Sequence, residues 1–512
     1  MGKTSKESKK SKGSNNSAGK NKVTTFLKSK KFGFILAGIQ AFITALFIGL
    51  LVYLNVVPAK YFVPVIFILI LFLGYDILSQ FSKKFRTSGK VIAVIIILIL
   101  GIGSFLLVKS NQLLSGISGS NKKVDTIGVY VRNDNPAKTL GDAADYNFGI
   151  LQTLDRQNTD NAISKINTTV GKEIKTTEYT DMIEMADALL NGQIDGIILN
   201  SAFIETIADD ENHAEFAVQV RKLDSISFTT IIKDTSVDNI TTDPFTVYMS
   251  GIDVYGDIST TSRSDVNILA TINPKTKQVL LVSTPRDYYV QTTVSGGSYD
   301  KLTHAGLSGI DCSMGTLSSL YNLDVQYFFR INFTGFENVI DALGGVTVYS
   351  DVAFNTLHEG AHIHVGDNEL SGKEALGFAR ERYALAGGDN DRGKNQMKVI
   401  KAVIDKACSP AILNNFNGLV DSVAGSFDTN MSSDEISSLV KMELSDMASW
   451  NVVQYAVAGT GKKANTFSMP NALSYVMEPD YSTVETAKKL QQQVINGEII
   501  QDPNAAAETP AQ

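Results

Sequence analysis

Three apolar stretches, residues 32–57, 61–78 and 91–108, follow one another near the N-terminus, and the last, VIAVIIILILGIGSFLLV, carries no charge. At roughly 1.5 Å per residue, each is long enough to cross the hydrocarbon core of a bilayer. A buried core helix is also apolar on every side, but three such segments in close succession with polar flanks predict three transmembrane helices over residues 32–109. The first is not read as a cleavable signal, because its polar lead is long and no small-residue cleavage site follows a short apolar core. Asp76 is the one acid within these spans; an interfacial position is expected for it rather than a relay role, since no second intramembrane acid accompanies it.

Beyond the spans the periodicity changes. Between residues 124 and 235, β-rich runs (DTIGVYV, EIKTTEY, DGIILN, SISFTTII) alternate with helical patterns such as TDMIEMADALLNG, in which Met182, Met185, Ala186 and Leu189 recur at helical spacing. This predicts a small α/β accessory domain, read as an interaction or spacer module with a small-ligand receptor as the alternative. Its Arg132, Arg156 and Arg221 are scattered. A second α/β unit is expected over residues 246–500. Its strands are FTVYMSGI, VNILATINP, QVLLVSTP, VQYFFRIN and GVTVYS, and its helices include FENVIDALG, SGKEALGFARER and DRGKNQMKVIKAVIDKA. That order implies a layered domain with helices on a central mixed sheet. Residues 501–512 are expected to be a disordered tail, and no internal repeat stands out.

Charge divides the chain in the same way. Residues 1–31 form a basic tail with ten lysines against Glu7, and the connection between the second and third spans adds Lys83, Lys84, Arg86 and Lys90, whereas the first connection holds only Lys60. Basic loops stay on the cytoplasmic side, so three spans place everything after Lys109 outside the cell membrane. The mean hydropathy of +0.02 and net charge of −7 therefore describe no real part of the molecule. Residues 110–512 hold 30 basic and 51 acidic side chains, a net −21. Bulk attraction to nucleic acid is excluded by that balance. An anionic ligand there needs a local cationic cluster.

Arginine supplies one. Only six arginines follow Asp238, namely Arg263, Arg286, Arg330, Arg380, Arg382 and Arg392, and each sits at a strand end or beside carboxylates (SRSD, TPRDYY, FFRINF, FARER, DNDR). Surface cations fall to lysines such as Lys441 and Lys488 instead. Arginine is preferred where a planar, bidentate grip on phosphate is needed, although any one of them taken singly also fits a surface ion pair. Asp253 (SGID), Asp265 (SRSD), Asp389 and Asp391 are placed to match. Two or three aspartates with water and phosphate oxygens suit Mg²⁺, while Asp389 also fits a cap for the helix that follows. Arg392 and Gln396, four residues apart, share a face of that helix.

The blocks GIDVYGDISTTSRSD, TINPKTKQVLLVSTPRDYYV, DKLTHA, RINFTGFENVIDALGGV and LSGKEALGFARERYALAGGDNDRGKNQ, spread over residues 246–407 in this order, resemble the LytR-CpsA-Psr (LCP) family. Three spans and an intervening domain further resemble its streptococcal capsule-locus CpsA-like branch. The resemblance implies a Mg²⁺-dependent phosphotransferase, with Mn²⁺ as the alternative ion, that moves an anionic glycopolymer of capsular or teichoic-acid type from polyprenyl pyrophosphate onto peptidoglycan at the outer membrane face, with pyrophosphatase as a side activity. It implies metal positioning by Asp253 and Asp265. Arg263, Arg286, Arg380, Arg382 and Arg392 would hold pyrophosphate, with Asp389 as a carboxylate beside them and Gln396 in the polar wall. Lys301 and Arg330 match family blocks with less defined substrate-binding roles. GGDNDR departs from the family by the extra acid Asp391, which leaves the working aspartate open between Asp389 and Asp391. Capsule-assembly proteins are further candidate partners.

Phosphoryl transfer depends mainly on alignment and charge stabilisation, which arginine forks and a metal supply, and Asp389 or Asp253 is the candidate base for an acceptor hydroxyl. A polyprenyl tail needs an apolar trough, for which LSSLYNL, QYFF and residues 399–404 are candidates. The remaining signals are weaker. His358, His362 and His364 in HEGAHIH read as a polar hairpin sooner than a Zn²⁺ site. The role of His304 is open, as is a disulfide between Cys312 and Cys408. GGSYDK and AGGDND lack a Walker pattern, and no helix-turn-helix pattern stands in residues 1–32. The reading from a different class is a non-catalytic membrane protein that binds lipid-linked glycan as a regulator or scaffold of capsule or wall assembly.

Overall fold

A computed structural model describes residues 26–117, 122–232, 235–252, 258, 261–409 and 426–503. Its contacts divide the chain into two compact units, Met1–Gln112 with Ser437–Asp446 and Leu113–Ile436 with Met447–Gln512.

In the first unit, α1 (Lys30–Leu54), α2 (Ala59–Ser79) and α3 (Arg86–Ile117) are long helices. Lys30–Leu54, Ala59–Ser79 and Arg86–Lys109 are each long and apolar enough to cross a membrane. Ser29 caps α1 by accepting from the Phe32 N–H at 3.2 Å. The polar side chains Gln40 and Asp76 are 0% and 1% exposed, so these groups are buried within the unit. Membrane proteins generally turn such groups inward, because lipid offers them no hydrogen bonds.

The second unit contains two large sheets and four two-stranded ones. The first is built from β1 (Lys122–Arg132), β2 (Asn147–Leu151), β3 (Lys175–Tyr179), β4 (Gly196–Asn200) and β5 (Val220–Ile231), in the order β3-β2-β4-β1-β5, with α4 (Arg156–Val170) and α5 (Met182–Leu190) as its main helices. The second sheet draws on β6 (Phe245–Ile252), β7 (Val266–Asn273) and β8 (Gln278–Ser283). After these come the hairpin β9 (Tyr289–Gln291) and β10 (Tyr299–Lys301), then α6 (Ile310–Tyr321), β11 (Tyr327–Asn332) and α7 (Phe333–Ala342). Small pairs follow in β12 (Val346–Ser350), β13 (Phe354–Asn355), β14 (His362–Ile363) and β15 (Gly366–Leu370), before α8 (Gly372–Arg380) and α9 (Asp389–Ala407). The chain ends through β16 (Phe427–Thr429), α10 (Ser433–Asp446), of which Ser437–Asp446 belongs to the first unit, then β17 (Asn451–Ala456), β18 (Gly459–Ala464), β19 (Ser474–Pro479) and α11 (Tyr481–Ile495). The central sheet has the order β16-β11-β6-β7-β8-β17 and is mixed: β11 and β6 pair parallel, as do β8 and β17, while the other pairs are antiparallel.

Every strand read from the sequence is present, but GVTVYS (β12) pairs with β15 outside the central sheet. The short β2, the β9–β10 hairpin and β13 to β19 are additional. Leu307 and Met469, from loops of the second half, pack into the same core cluster as Met185, Leu189 and Phe216 of the first sheet's layer. The two sheets thus share buried apolar surface, which is a dominant stabilising term in folding.

Candidate active site

Three helices and two strands wall a cavity of about 500 Å³. β6 and β11 run side by side, and Met249, Gly251, Phe329 and Ile331 reach it from the sheet. α7 contributes Phe333, Phe336, Val339 and Ile340, and α9 contributes Gln396, Val399, Ile400, Val403 and Ile404. The α9 spacing of three and four residues marks a single helix face. α7 begins where the Asn332 side chain accepts from the Gly335 N–H at 2.8 Å. α8 begins with a capping box between Ser371 and Glu374. It sits against α7 so closely that a Cβ on Gly372 would stand 2.3 Å from the Glu337 carbonyl oxygen, a place only glycine fills.

One end of this cavity is charged. Asp265, Arg286, Arg380, Arg382 and Arg392 line it together with Gln396. Asp265, Arg286, Arg392 and Gln396 also border a small adjoining cleft that contains Asp389 and Asn390. Arg392 lies in the first turn of α9 and Ile404 twelve residues on, so the lining passes from cationic to apolar over about 18 Å. Arg286 Nη1 lies 2.8 Å from Asp265 Oδ2, and Thr303 Oγ1 donates to Asp265 Oδ1 at 3.2 Å. Arg392 Nη2 meets Asp389 Oδ1 at 2.5 Å. Arg380 is gripped by Glu359 at 2.6 Å and stacks 4.2 Å from the Phe333 ring centre. Arg382 lies over Tyr383, 4.7 Å from its ring centre.

The two buried guanidiniums sit in different fields. Burial holds the Arg392 guanidinium below its ordinary pKa; Asp389 and Asp265 oppose this, whereas Arg286 and Arg382 reinforce it. Burial also works against the Arg286 cation, yet Asp265, Asp287, Asp209 and Asp389 together hold its pKa above the usual value. A phosphate placed beside Arg392 would offset its burial and the repulsion from Arg286 and Arg382.

The family model for the LytR_cpsA_psr family matches residues 208–492. The chain belongs to this family. Among LytR_cpsA_psr relatives, it is 33% identical over 235 residues to the polyisoprenyl-teichoic acid--peptidoglycan teichoic acid transferase TagU of Bacillus licheniformis, covering 46% of this chain and 74% of that protein. The transferase of the same name from Enterococcus faecalis is 30% identical over 254 residues, 49% of this chain and 80% of that one. A solved structure of TagT bound to LI-WTA aligns with 28% identity and a TM-score of 0.41 over 51% of this chain and 94% of that chain.

Not all residues singled out in this LytR_cpsA_psr sequence meet at the cavity. Arg330 does not line it: Nη2 pairs with Asp428 Oδ2 at 2.8 Å, and the two side chains are 8% and 6% exposed. Alternation along β11 explains this, since Phe329 and Ile331 turn toward the cavity and the residue between them must turn away. Lys301 Nζ lies 3.6 Å from Asp287 Oδ1, outside the cavity lining. Arg263 is ion-paired with Asp209, which precedes β5 of the first sheet. Asp253 lies outside the described residues. Leu317 and Tyr321 of LSSLYNL face the main core instead of the cavity, as does Phe328 of QYFF.

The motif histidines take other parts. His362 Nδ1 contacts Asn355 Oδ1 at 2.7 Å across the β13–β14 pair, and His358 lines the cavity. His304 Nδ1 lies 2.8 Å from both Asp300 Oδ1 and Ser468 Oγ in a buried brace between loops. Cys312 and Cys408 are present as thiols.

Two residues that sequence reasoning passed over hold the site together. Glu381, between the two arginines, accepts backbone N–H groups of Arg382, Tyr383 and Ala384 on Oε1 and of Leu357 on Oε2, at 2.6 to 3.0 Å. Glu359 orients Arg380. An acid flanked by arginines was the visible signal, but it reads first as an ion-pair partner. For a metal, no group of three or more His, Cys, Asp or Glu side chains is assembled among the described residues. Among the described residues the carboxylates at the charged end are those of Asp265 and Glu381 in the lining and Asp389 in the adjoining cleft, and such a set would fit an ion such as Mg²⁺ that keeps its waters and takes further oxygens from a phosphate ligand.

Proposed function

We propose that this protein is a membrane-anchored phosphotransferase that attaches a polyprenyl-pyrophosphate-linked anionic glycopolymer, of the capsular or teichoic-acid class, to peptidoglycan on the outer face of the membrane. The observation that carries this reading is the union of four arginines and an apolar cavity of about 500 Å³ in one continuous lining. Pyrophosphate and a prenyl chain are joined in one molecule, and few other ligands need both surfaces together. The names of the TagU relatives point the same way.

In this reading Arg286, Arg380, Arg382 and Arg392 hold the pyrophosphate while α7 and α9 take the proximal prenyl chain. The acceptor hydroxyl oxygen attacks the phosphorus that bears the glycan. The bond from that phosphorus to the bridging oxygen breaks, and polyprenyl phosphate leaves. The hydroxyl proton passes to a carboxylate, Asp389 being placed in the adjoining cleft. The guanidiniums stabilise the charge that builds on the equatorial and bridging oxygens. Asp265, with Asp253, would hold Mg²⁺, which would supply charge neutralisation at the phosphates. The basic tail and the lysines between α2 and α3 support a topology with these segments inside the cell and the residues beyond Lys109 outside.

The test uses the full chain in lipid nanodiscs with a polyprenyl-pyrophosphate glycan, peptidoglycan and Mg²⁺. Wild type transfers glycan, and Arg286→Ala and Arg382→Ala abolish transfer. Wild-type rates in both variants would overturn the transferase reading in favour of a binding scaffold.

A further inference from the structure

Four tyrosines lie outside the lining of the charged cavity. Tyr289 and Tyr299 face each other across the β9–β10 hairpin, with ring centres 5.1 Å apart. Tyr475 on β19 and Tyr481 at the start of α11 are half exposed, at 49% and 50%, and Tyr299 is 40% exposed. The hairpins that carry Tyr289, Tyr299 and Tyr475 are tied together, and Tyr481 begins the helix that follows β19 after Asp480. The Tyr289 hydroxyl donates to the Asn465 carbonyl at 2.8 Å, and the Phe467 N–H donates to the Tyr299 carbonyl at 2.9 Å. Tyr475 packs over Gly461, where a Cβ would stand 2.8 Å from the ring. Lys462 Nζ lies 5.0 Å from the Tyr289 ring centre.

This strip is continuous with the catalytic cluster. The Met477 N–H donates to the Asp287 carbonyl at 2.7 Å, which seats β19 directly against the segment that follows Arg286. Asp287 in turn reaches Lys301 at 3.6 Å and Arg286 at 3.8 Å. Burial, then the carboxylates of Asp287 and Asp389, push the Tyr475 hydroxyl above its ordinary pKa. Exposed aromatic rings grouped beside a reaction centre call for a ligand. The rings carry no charge, so they do not suit a phosphate-rich polymer. They suit the C–H faces of a neutral sugar backbone, with the hydroxyls of Tyr299, Tyr475 and Tyr481 meeting sugar hydroxyls.

We propose that Tyr289, Tyr299, Tyr475 and Tyr481 form the subsite that binds the glycan strand of the peptidoglycan acceptor and presents its hydroxyl to Asp389. The proposal rests on the transferase reading for the identity of the acceptor. Lys462, paired with Glu478, borders the strip where the strand's peptide carboxylates would pass.

The experiment uses the full chain in nanodiscs and a soluble peptidoglycan tetrasaccharide. Its binding without donor is followed by saturation-transfer NMR, and transfer is followed by steady-state kinetics. Tyr475→Ala and Tyr289→Ala are expected to weaken binding and raise the acceptor KM by about fivefold or more, with kcat at saturating acceptor shifting far less. Tyr475→Phe keeps the ring and restores most of the affinity. An acceptor KM within twofold of wild type in both alanine variants overturns the subsite. A rise in the donor KM instead assigns the strip to the donor's own glycan and also overturns it. Tetrasaccharide binding by wild type with no transfer sinks the transferase reading while leaving the strip as a glycan site.

Discussion

Arg286 Nη1 and Asp265 Oδ2 are joined at 2.8 Å, with both side chains 16% exposed. The pair holds a fork-shaped cation at the boundary between the apolar cavity and the small polar cleft. Lysine at position 286 would keep the charge but lose the planar fork. Arg286→Lys is therefore expected to lower kcat/KM for transfer by about 10- to 100-fold, the range of one lost charge-assisted hydrogen bond. Steady-state transfer assays check this; a loss below twofold would show that position 286 needs only positive charge.

Much of the charged end was readable because most of its residues are local in sequence, Asp265 and Arg286 being the distant exceptions. Arg380, Arg382, Asp389 and Arg392 fall within thirteen positions, and a helix start between them brings their side chains to one place. Arg330 shows what a motif conceals. Its apolar neighbours Phe329 and Ile331 already implied that the two sides of β11 face different environments, and the arginine took the side opposite the cavity. The trough was read only in part for a similar reason. Val399 to Ile404 show helical spacing, whereas the α7 residues Phe333 and Phe336 acquire their role from the packing of α8, which periodicity along one helix does not reveal. The hairpin β18–β19 escaped notice because GTGKKA is nearly all exposed and has no apolar alternation.

Arg330 and Asp428 form a nearly buried pair, so removing one partner strands a charge away from water. Arg330→Ala is expected to destabilise the fold by about 3–5 kcal/mol, whereas Arg330→Met with Asp428→Leu costs far less. Denaturant melts of the detergent-solubilised chain measure both. The folded fraction of Arg330→Ala should keep the wild-type donor KM; a raised KM would return Arg330 to the substrate site.

Asp209 occupies Arg263, with side chains 33% and 14% exposed. For Arg263 to hold pyrophosphate it must exchange that carboxylate for the donor. Partly exposed pairs of this kind contribute up to about 1 kcal/mol, so Asp209→Asn is expected to lower the donor KM by up to about fivefold. Donor titrations check this, and an unchanged KM places Arg263 outside the donor site.

Glu381 fixes the loop that presents Arg382. Burial works against its carboxylate, but the backbone N–H groups of Ala384, Leu357, Tyr383 and Arg382 outweigh burial and hold its pKa below the ordinary value of 4.5. A pKa depressed in the folded state means stability that is fully present above the unfolded value and lost as pH falls through the folded one. The window therefore lies below about pH 4.5. Glu381→Gln removes this proton linkage. Stability measured between neutral and acid pH should fall less steeply in Glu381→Gln than in wild type, starting from a lower value at pH 7. Identical slopes would show that the loop is held by other contacts.

Ile400 and Ile404 lie on the face of α9 that lines the apolar end of the cavity, away from the guanidiniums. If this face receives the prenyl chain, each added isoprenoid unit removes apolar area from water at about 25 cal/mol per Å², and donor affinity rises with chain length until the cavity is filled. A carboxylate at position 400 interrupts that surface without touching a charged residue of the site. Ile400→Asp should raise the KM of a long-chain donor by about tenfold or more, since burying even one ionised group without a partner costs several kcal/mol. A donor with a short, water-soluble chain should be affected much less, because it fills little of the apolar end. The deciding measurement is donor KM against chain length in wild type and variant. Wild type should show a steep dependence and Ile400→Asp a shallow one. Parallel dependences would mean that the prenyl chain lies elsewhere, in the bilayer or along another face, and that the cavity serves a different part of the donor.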